Sequence, residues 1–238
     1  MPESTMLIFG PESQPVRVET DVLSEVLAEC ASMLVLGSFN AERVEHLATR
    51  VGEVTMADPD LTSKRVAALE VPDGITVATF GPEHIEADDG SFDAVVMVDA
   101  LYQVPAMLME AGMTEICRVL RQDGLLYVSE PVFEGPFNDL TVLVQDDERE
   151  RLAAFETLRG AIQAGQFELA REIFFKACLN FGGFDEFAAA LLQPRPGFAP
   201  ASPALLDQVR PRFEAHRGAD GRYVLEAPRR VDLLRKVL

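Results

Sequence analysis

The feature that most constrains this chain is a series of short apolar segments alternating with amphipathic ones between Met33 and Ser129. Met33–Leu36, Glu53–Ala57, Ile75–Phe80, Phe92–Val98 and Leu125–Ser129 read as strands. Between them Ala41–Arg50, Leu61–Leu69 and Pro105–Leu120 carry apolar side chains at helical spacing, such as Val44, Leu47 and Ala48 in the first. A strand buried on one face alternates apolar with polar, whereas a strand such as Phe92–Val98, apolar almost throughout, must be covered on both faces. Parallel sheets flanked by helices meet that condition. The chain is therefore expected to be α/β, with a doubly wound, mostly parallel sheet.

The flanks complete the architecture. Met6–Phe9, followed by Gly10-Pro11 and an alternating Val16–Glu19, predicts a small N-terminal hairpin. Thr20 or Asp21 would then cap a helix carrying Val22, Leu23, Val26, Leu27 and Cys30 on one face. Past Pro131 the period becomes helical: Leu152, Phe155, Leu158 and Ile162 form one stripe, and Phe167, Ala170, Ile173 and Phe174 a second. Ala177–Phe181 reads as extended, Phe184–Leu192 and Pro203–His216 as helices, Gln193–Pro203 as a loop, and Arg222–Ala227 as a strand before Val231–Val237. The expected sheet has seven strands, with its last pair near Ala177–Phe181 and Arg222–Ala227. The whole is read as one domain: 1–32 a hairpin and helix, 33–131 a Rossmann-like core, and 132–238 a helical lid inserted after the fifth strand together with the closing strands.

Charge narrows the function. The net charge of −18 excludes a duplex-binding surface, because nucleic-acid affinity depends on neutralising phosphates. Residues 1–150 hold 29 acidic and 8 basic side chains, and residues 151–238 hold 10 and 13, so the acidity belongs to one part of the fold. It reads as a solvated face, with docking of a basic partner, or self-association, as the alternative. No apolar run reaches membrane-spanning length and no secretory leader is read, so the expected compartment is the cytoplasm. Cys30, Cys117 and Cys178 are too far apart for a metal motif and read as reduced, buried thiols; no metal is expected.

In such sheets ligands sit beyond the carboxyl ends of the strands, beside the first one. Leu36-Gly37-Ser38-Phe39-Asn40-Ala41 occupies that position. Asp58, 21 residues after Gly37 and at the end of the second strand, can accept hydrogen bonds from both hydroxyls of a ribose, which points to a nucleoside ligand.

The segment Ser91-Phe92-Asp93-Ala94-Val95-Val96, then Ala100-Leu101-Tyr102-Gln103-Val104-Pro105, then Glu115-Ile116-Cys117-Arg118-Val119-Leu120-Arg121-Gln122-Asp123-Gly124-Leu125-Leu126-Tyr127-Val128-Ser129-Glu130-Pro131 closely resembles the class I S-adenosylmethionine-dependent methyltransferases of the small-molecule, type 11 group. Their pattern reads SFDxVV, ALHHVP and EIxRVLKPGGxLxISEP in this order and spacing. The resemblance covers about residues 30–131. It implies S-adenosylmethionine as cofactor, methyl transfer to a small molecule, Asp58 on the ribose, Gly37 and Ser38 under the methionine portion, and Glu83 or His84 near the adenine. Tyr102, Gln103 and Glu130 are the implied substrate-side residues.

Where the family has VLDxGCGxG, this chain has Leu34-Val35-Leu36-Gly37-Ser38-Phe39-Asn40-Ala41, so an acid has become Val35 and two glycines have become Phe39 and Ala41. Glycines there let the backbone approach the cofactor. Phe39 either occupies that space or packs beneath the first strand. The family acid that meets the adenine amino group aligns near Pro82, with Glu83 able to substitute after a one-residue shift. The departures keep a second expectation open: a non-catalytic methyltransferase-like partner or regulatory subunit with a decayed cofactor site. A Rossmann protein for another nucleotide fits worst, since the loop lacks the glycines a pyrophosphate requires.

Overall fold

The computed structural model describes residues 6–37, 46–47, 49–61, 71, 73–191 and 201–237. Its centre is one seven-stranded sheet in the order β3-β2-β1-β4-β5-β7-β6. The strands are β1 (Ser32–Leu36), β2 (Glu53–Ala57), β3 (Ile75–Ala78), β4 (Phe92–Val98), β5 (Leu120–Pro131), β6 (Phe167–Phe181) and β7 (Tyr223–Lys236). The first five are parallel to one another, and β7 runs antiparallel to both β5 and β6.

Side-chain alternation along the central strands feeds two cores. Leu34, Val95, Leu126 and Leu234 are register partners across four strands, and all lie in one apolar cluster. Their neighbours Val35, Val96, Tyr127 and Leu233 form the next row and lie in the other. Both rows are buried, which is why these strands read as apolar without a break; each fully buried side chain of this size contributes about 1.5–3 kcal/mol.

Helices cover the two faces. Val22 and Leu23 of α1 (Glu19–Val26) enter the second core. Met109, Met113 and Ile116 of α2 (Ala106–Val119), at positions i, i+4 and i+7, enter the first, joined by Ala154, Phe155, Leu158 and Ala161 of α4 (Glu148–Gln163). A third core is aromatic. Phe181, Phe187, Phe213 and Tyr223 pack where the ends of β6 and β7 meet α3 (Gly135–Thr141), α5 (Phe184–Leu191) and α6 (Pro203–Glu214). There the Phe187 and Phe213 rings are 4.8 Å apart.

Two motifs quoted from the sequence have structural work here. Asp93, in the Ser-Phe-Asp segment, accepts hydrogen bonds on Oδ2 from the backbone N–H of Ala31 and of Ser32, both at 2.9 Å, and so ties the start of β4 to the start of β1. Gln122-Asp123-Gly124, expected to form a turn, lies instead within β5 where its register against β4 shifts, and Asp123 there takes a left-handed φ of 61°, which short polar side chains tolerate.

The structure corrects the sequence reading in three places. Neither Thr20 nor Asp21 caps α1, which already begins at Glu19 and has no side-chain cap, so both lie within its first turn. No hairpin forms within residues 6–18; instead Val16 bridges to Lys176 on the edge strand β6, with Arg17 N–H donating to the Lys176 carbonyl at 3.1 Å. Lone alternation in that segment is satisfied by pairing with a distant strand. The remaining correction is Phe167–Phe174, read as a helical stripe, which is the first half of the 15-residue β6. A bulge between Leu169 and Arg171 shifts the register against β7, so Phe167 and Leu169 face the first core while Ile173, Phe175 and Ala177 face the second. That change of face broke the period-2 signal. The closing pair therefore extends well beyond Ala177–Phe181 and Arg222–Ala227, and β7 takes in Val231 to Lys236 as well.

Candidate functional site

The strands β1, β2 and β4 end together, and their ends line a cavity of about 270 Å³. Leu36, Met97, Ala100 and Leu108 give it apolar walls, and Asp58, Asp60 and Glu83 bring carboxylates to it; among the described residues no Lys or Arg lines it. Gly37 forms part of the lining with φ +103°, and a Cβ built there would stand 2.5 Å from the Ala100 Cβ. Only glycine satisfies both the dihedral and the close approach.

Asp58 follows β2. Its backbone N–H reaches the Ala78 carbonyl at 3.3 Å, and its Oδ1 accepts from Asp60 N–H at 2.9 Å, which fixes the carboxylate in a turn at the cavity edge. Oδ2 has no hydrogen-bond partner among the described residues. Pro82 and Glu83 come from the segment after β3, and Gln103 and Val104 from a 3-10 turn (Leu101–Gln103) after β4. The Gln103 amide donates to the Asp99 carbonyl, which holds that side chain against the turn.

Beside the cavity, where β4, β5 and β7 meet, lies a buried polar network. Arg229 pairs with Glu19 at 2.8 Å and with Asp99 at 2.9 Å, and donates to the Ser129 hydroxyl and carbonyl at 3.1 Å. Glu19 also accepts from the Tyr127 hydroxyl at 2.5 Å and from the Ser129 hydroxyl at 3.0 Å. Glu130 accepts on Oε1 from Leu101 N–H at 2.9 Å and Tyr102 N–H at 3.4 Å, capping the 3-10 turn, while its buried Oε2 lacks a hydrogen-bond partner. Burial, reinforced by the nearby Asp99 charge, pushes the Glu130 carboxyl up to about 8.

Of the residues singled out from the sequence, Gly37, Asp58, Glu83 and Gln103 line one cavity. Ser38 and Phe39 lie outside the described residues, as do Asn40 and Ala41. His84 is exposed and is not part of the lining. Tyr102 is buried next to the cavity, with the Arg151 guanidinium 5.5 Å from its ring centre; Glu130 sits behind it as a support of the turn. Asp60 and the Glu19–Arg229–Asp99 network escaped the sequence reading. Asp60 carried a signal in Asp58-Pro59-Asp60, a turn that puts two carboxylates together. Arg229 and Ser129 are 100 residues apart, and nothing local in the sequence joins them.

The residues at the cavity suit S-adenosylmethionine on three grounds. Gly37 lets the end of β1 lie close against Ala100 with no side chain of its own in the cavity, a half-buried carboxylate stands where ribose hydroxyls can reach it, and the acidic lining, without Lys or Arg among the described residues, complements a cationic sulfonium. Among the described residues no group of three side chains could hold a metal ion, and no helix is long and apolar enough to cross a membrane.

Comparison with known proteins points in the same direction. Residues 34–128 match the family model described as Methyltransferase domain. Among solved structures, the chain is similar to a protein from Bacillus halodurans C-125 assigned as a methyltransferase (15% identity, TM-score 0.62, covering 92% of this chain and 99% of that one). It is similar to the [4+2]-cyclase SpnF (19% identity, TM-score 0.56, 92% and 80% covered). It is also similar to the N-methyltransferase NodS from Bradyrhizobium japonicum WM9, solved with S-adenosyl-L-homocysteine (12% identity, TM-score 0.51, 92% and 85% covered). No curated protein matches the chain. The central segment thus matches a methyltransferase domain, and the solved structures share the fold of the whole sheet.

Proposed function

We propose that this protein is an S-adenosylmethionine-dependent methyltransferase acting on a small molecule. The observation that carries the reading is the cavity itself: within the segment matching a methyltransferase domain, Gly37 and Asp58 face one apolar, acid-rimmed space at the strand ends. When bound, S-adenosylmethionine supplies a methyl group on a sulfonium, a leaving group good enough to need little acid or base assistance. The chain's own part is then to bind, orient and exclude water. Asp58 would accept hydrogen bonds from the ribose hydroxyls, Glu83 would accept from the adenine amino group, and Gly37 and Ser38 would let the backbone pass beneath the methionine portion. His84 would stand at the outer edge of the adenine end, and Phe39 would pack beneath β1.

Tyr102 and Gln103 would border the methyl acceptor. Glu130 would act through them by holding the turn, and its carboxyl is a proton acceptor for an acceptor nucleophile only if that turn opens. Residues 132–238 would supply a helical lid, together with the closing strands, to a single domain. The free cysteines favour a reducing compartment such as the cytoplasm, and the acidic surface of residues 1–150 would suit a basic protein partner or self-association.

Calorimetric titration of the purified chain with S-adenosylmethionine and S-adenosylhomocysteine tests the reading: micromolar binding of both is expected, and no heat at millimolar ligand would overturn it. A second reading, a non-catalytic methyltransferase-like subunit, draws on Val35, Phe39 and Ala41 in place of the family's acid and glycines. The likeness to a [4+2]-cyclase also shows that this fold hosts more than one chemistry.

A further inference from the structure

Pro82 and Glu83 form part of the cavity wall yet belong to no helix or strand, so something else must fix them. One stripe of α2 does so. Leu108 lines the cavity directly. Four residues on, Gly112 lets Pro82 lie against the helix; a Cβ there would be 3.3 Å from the Pro82 Cβ. Glu115, the next position on that face, accepts from Ile85 N–H at 3.0 Å. Arg118 then closes the clasp. Its guanidinium forks onto both oxygens of Glu115 and donates to the carbonyls of Ile85 and Ala87, each at 2.8 Å, while its own carbonyl accepts from Gly90 N–H at 3.0 Å.

Both backbone polar groups of Ile85 are thus held from α2, two residues from Glu83. The Glu115 carboxyl is drawn well below the usual carboxylate range, to about 2, by its hydrogen bonds with Arg118, so the clasp stays charged at every physiological pH. Positions i, i+4, i+7 and i+10 share one helix face, so the element that lines one side of the cavity also sets the position of another.

Resting on the cofactor reading above, we propose that Arg118, acting through Glu115 and the Ile85 backbone, is a positioning residue that fixes where Pro82 and Glu83 stand and so sets the preference of the site for an adenine base. A clasp that merely stabilised the fold would weaken every ligand alike. A clasp that aims Glu83 at the exocyclic amino group would act on the choice of base, because hypoxanthine has a carbonyl there and offers no donor.

The test is calorimetric titration of the full chain with S-adenosylhomocysteine and with its inosine analogue, S-inosylhomocysteine. The wild type is expected to favour the adenine ligand. Arg118→Ala should lose at least about tenfold for that ligand while the inosine analogue changes little, so the ratio falls toward one. Arg118→Lys should behave similarly, since a lysine keeps the charge but cannot fork. Gly112→Ala pushes on Pro82 from the helix side with every ion pair intact, and should also reduce the ratio; it decides the matter if Arg118→Ala does not fold. Wild-type ratios in these variants, whether affinity is kept or falls equally for both ligands, would overturn the inference, as would a wild type that binds both ligands equally. A wild type that binds neither overturns the cofactor reading itself and this inference with it.

Discussion

The carboxylates at the two sides of the strand ends live under opposite conditions. Beyond β2 and β3, Asp58 and Glu83 face the cavity, and Asp58 meets only a backbone N–H of its own turn. Beyond β4 and β5, Glu19 and Asp99 are bound to the buried Arg229, and Glu130 is closed in behind a turn. A carboxylate already supplied with partners stabilises the fold through them and has little left for a ligand. One that stays hydrated at a cavity edge gains its partners when a ligand arrives. The difference between the two sides therefore separates framework from site more sharply than residue type does.

The largest effect expected from breaking this comparison is at Arg229. Arg229→Met leaves Glu19 and Asp99 without their buried cation, and removing one member of such a pair costs about 3–5 kcal/mol. Chemical denaturation should show that loss, with Tm lower by about 10 °C. Asp58→Ala should do the reverse: stability within about 1 kcal/mol of wild type, but affinity for S-adenosylhomocysteine weakened by about 1.5–3 kcal/mol for each charge-assisted bond lost. Unchanged affinity in that variant would move Asp58 from site to framework.

Glu130 sharpens the contrast through pH. Its folded pKa, about 8, stands above the ordinary carboxylate value of 4.5, so the folded chain holds this proton more tightly than the unfolded one. Its contribution to stability is complete below about pH 4.5 and is lost as pH rises through about 8. Glu130→Gln keeps an acceptor for Leu101 N–H and cannot ionise. Denaturation midpoints from pH 5 to 9 should fall less steeply in the variant than in wild type; parallel curves would count against the assignment. The smallest effect is expected at an exposed pair. Arg159→Ala, which removes the partner of Glu156 2.9 Å away, should change stability by less than about 0.5 kcal/mol.

Much of the sheet was legible in the sequence because burial on both faces keeps most positions of the central strands apolar. Glu53–Ala57 and Phe92–Val98 appear with the bounds the sequence implied. The edge strand β6 was not legible, and its bulge explains why. Crossing from one face to the other after Leu169 left Phe167, Ala170, Ile173 and Phe174 at intervals that imitate a helix turn. At the candidate site, Gly37 and Asp58 could be placed because strand ends carry ligands in this architecture. The clasp on Pro82 and Glu83 could not, although Glu115 and Arg118 stood in a recognised motif. Apart from Asp89, which pairs with Arg118, the groups they hold are backbone groups of Ile85 and Ala87, which any residue type would offer.

The place of β7 also sets a timetable for folding. It lies between β5 and β6, though it follows both in the chain. During synthesis β5 can pair with β4 as soon as both have left the ribosome, but its other edge, and the edge of β6 that pairs with β7, must wait until β7 has emerged. Until then two strands of 12 and 15 residues present open edges, the kind of surface through which nascent chains associate with one another. Of the seven strands, the last in sequence is the one that seals the sheet.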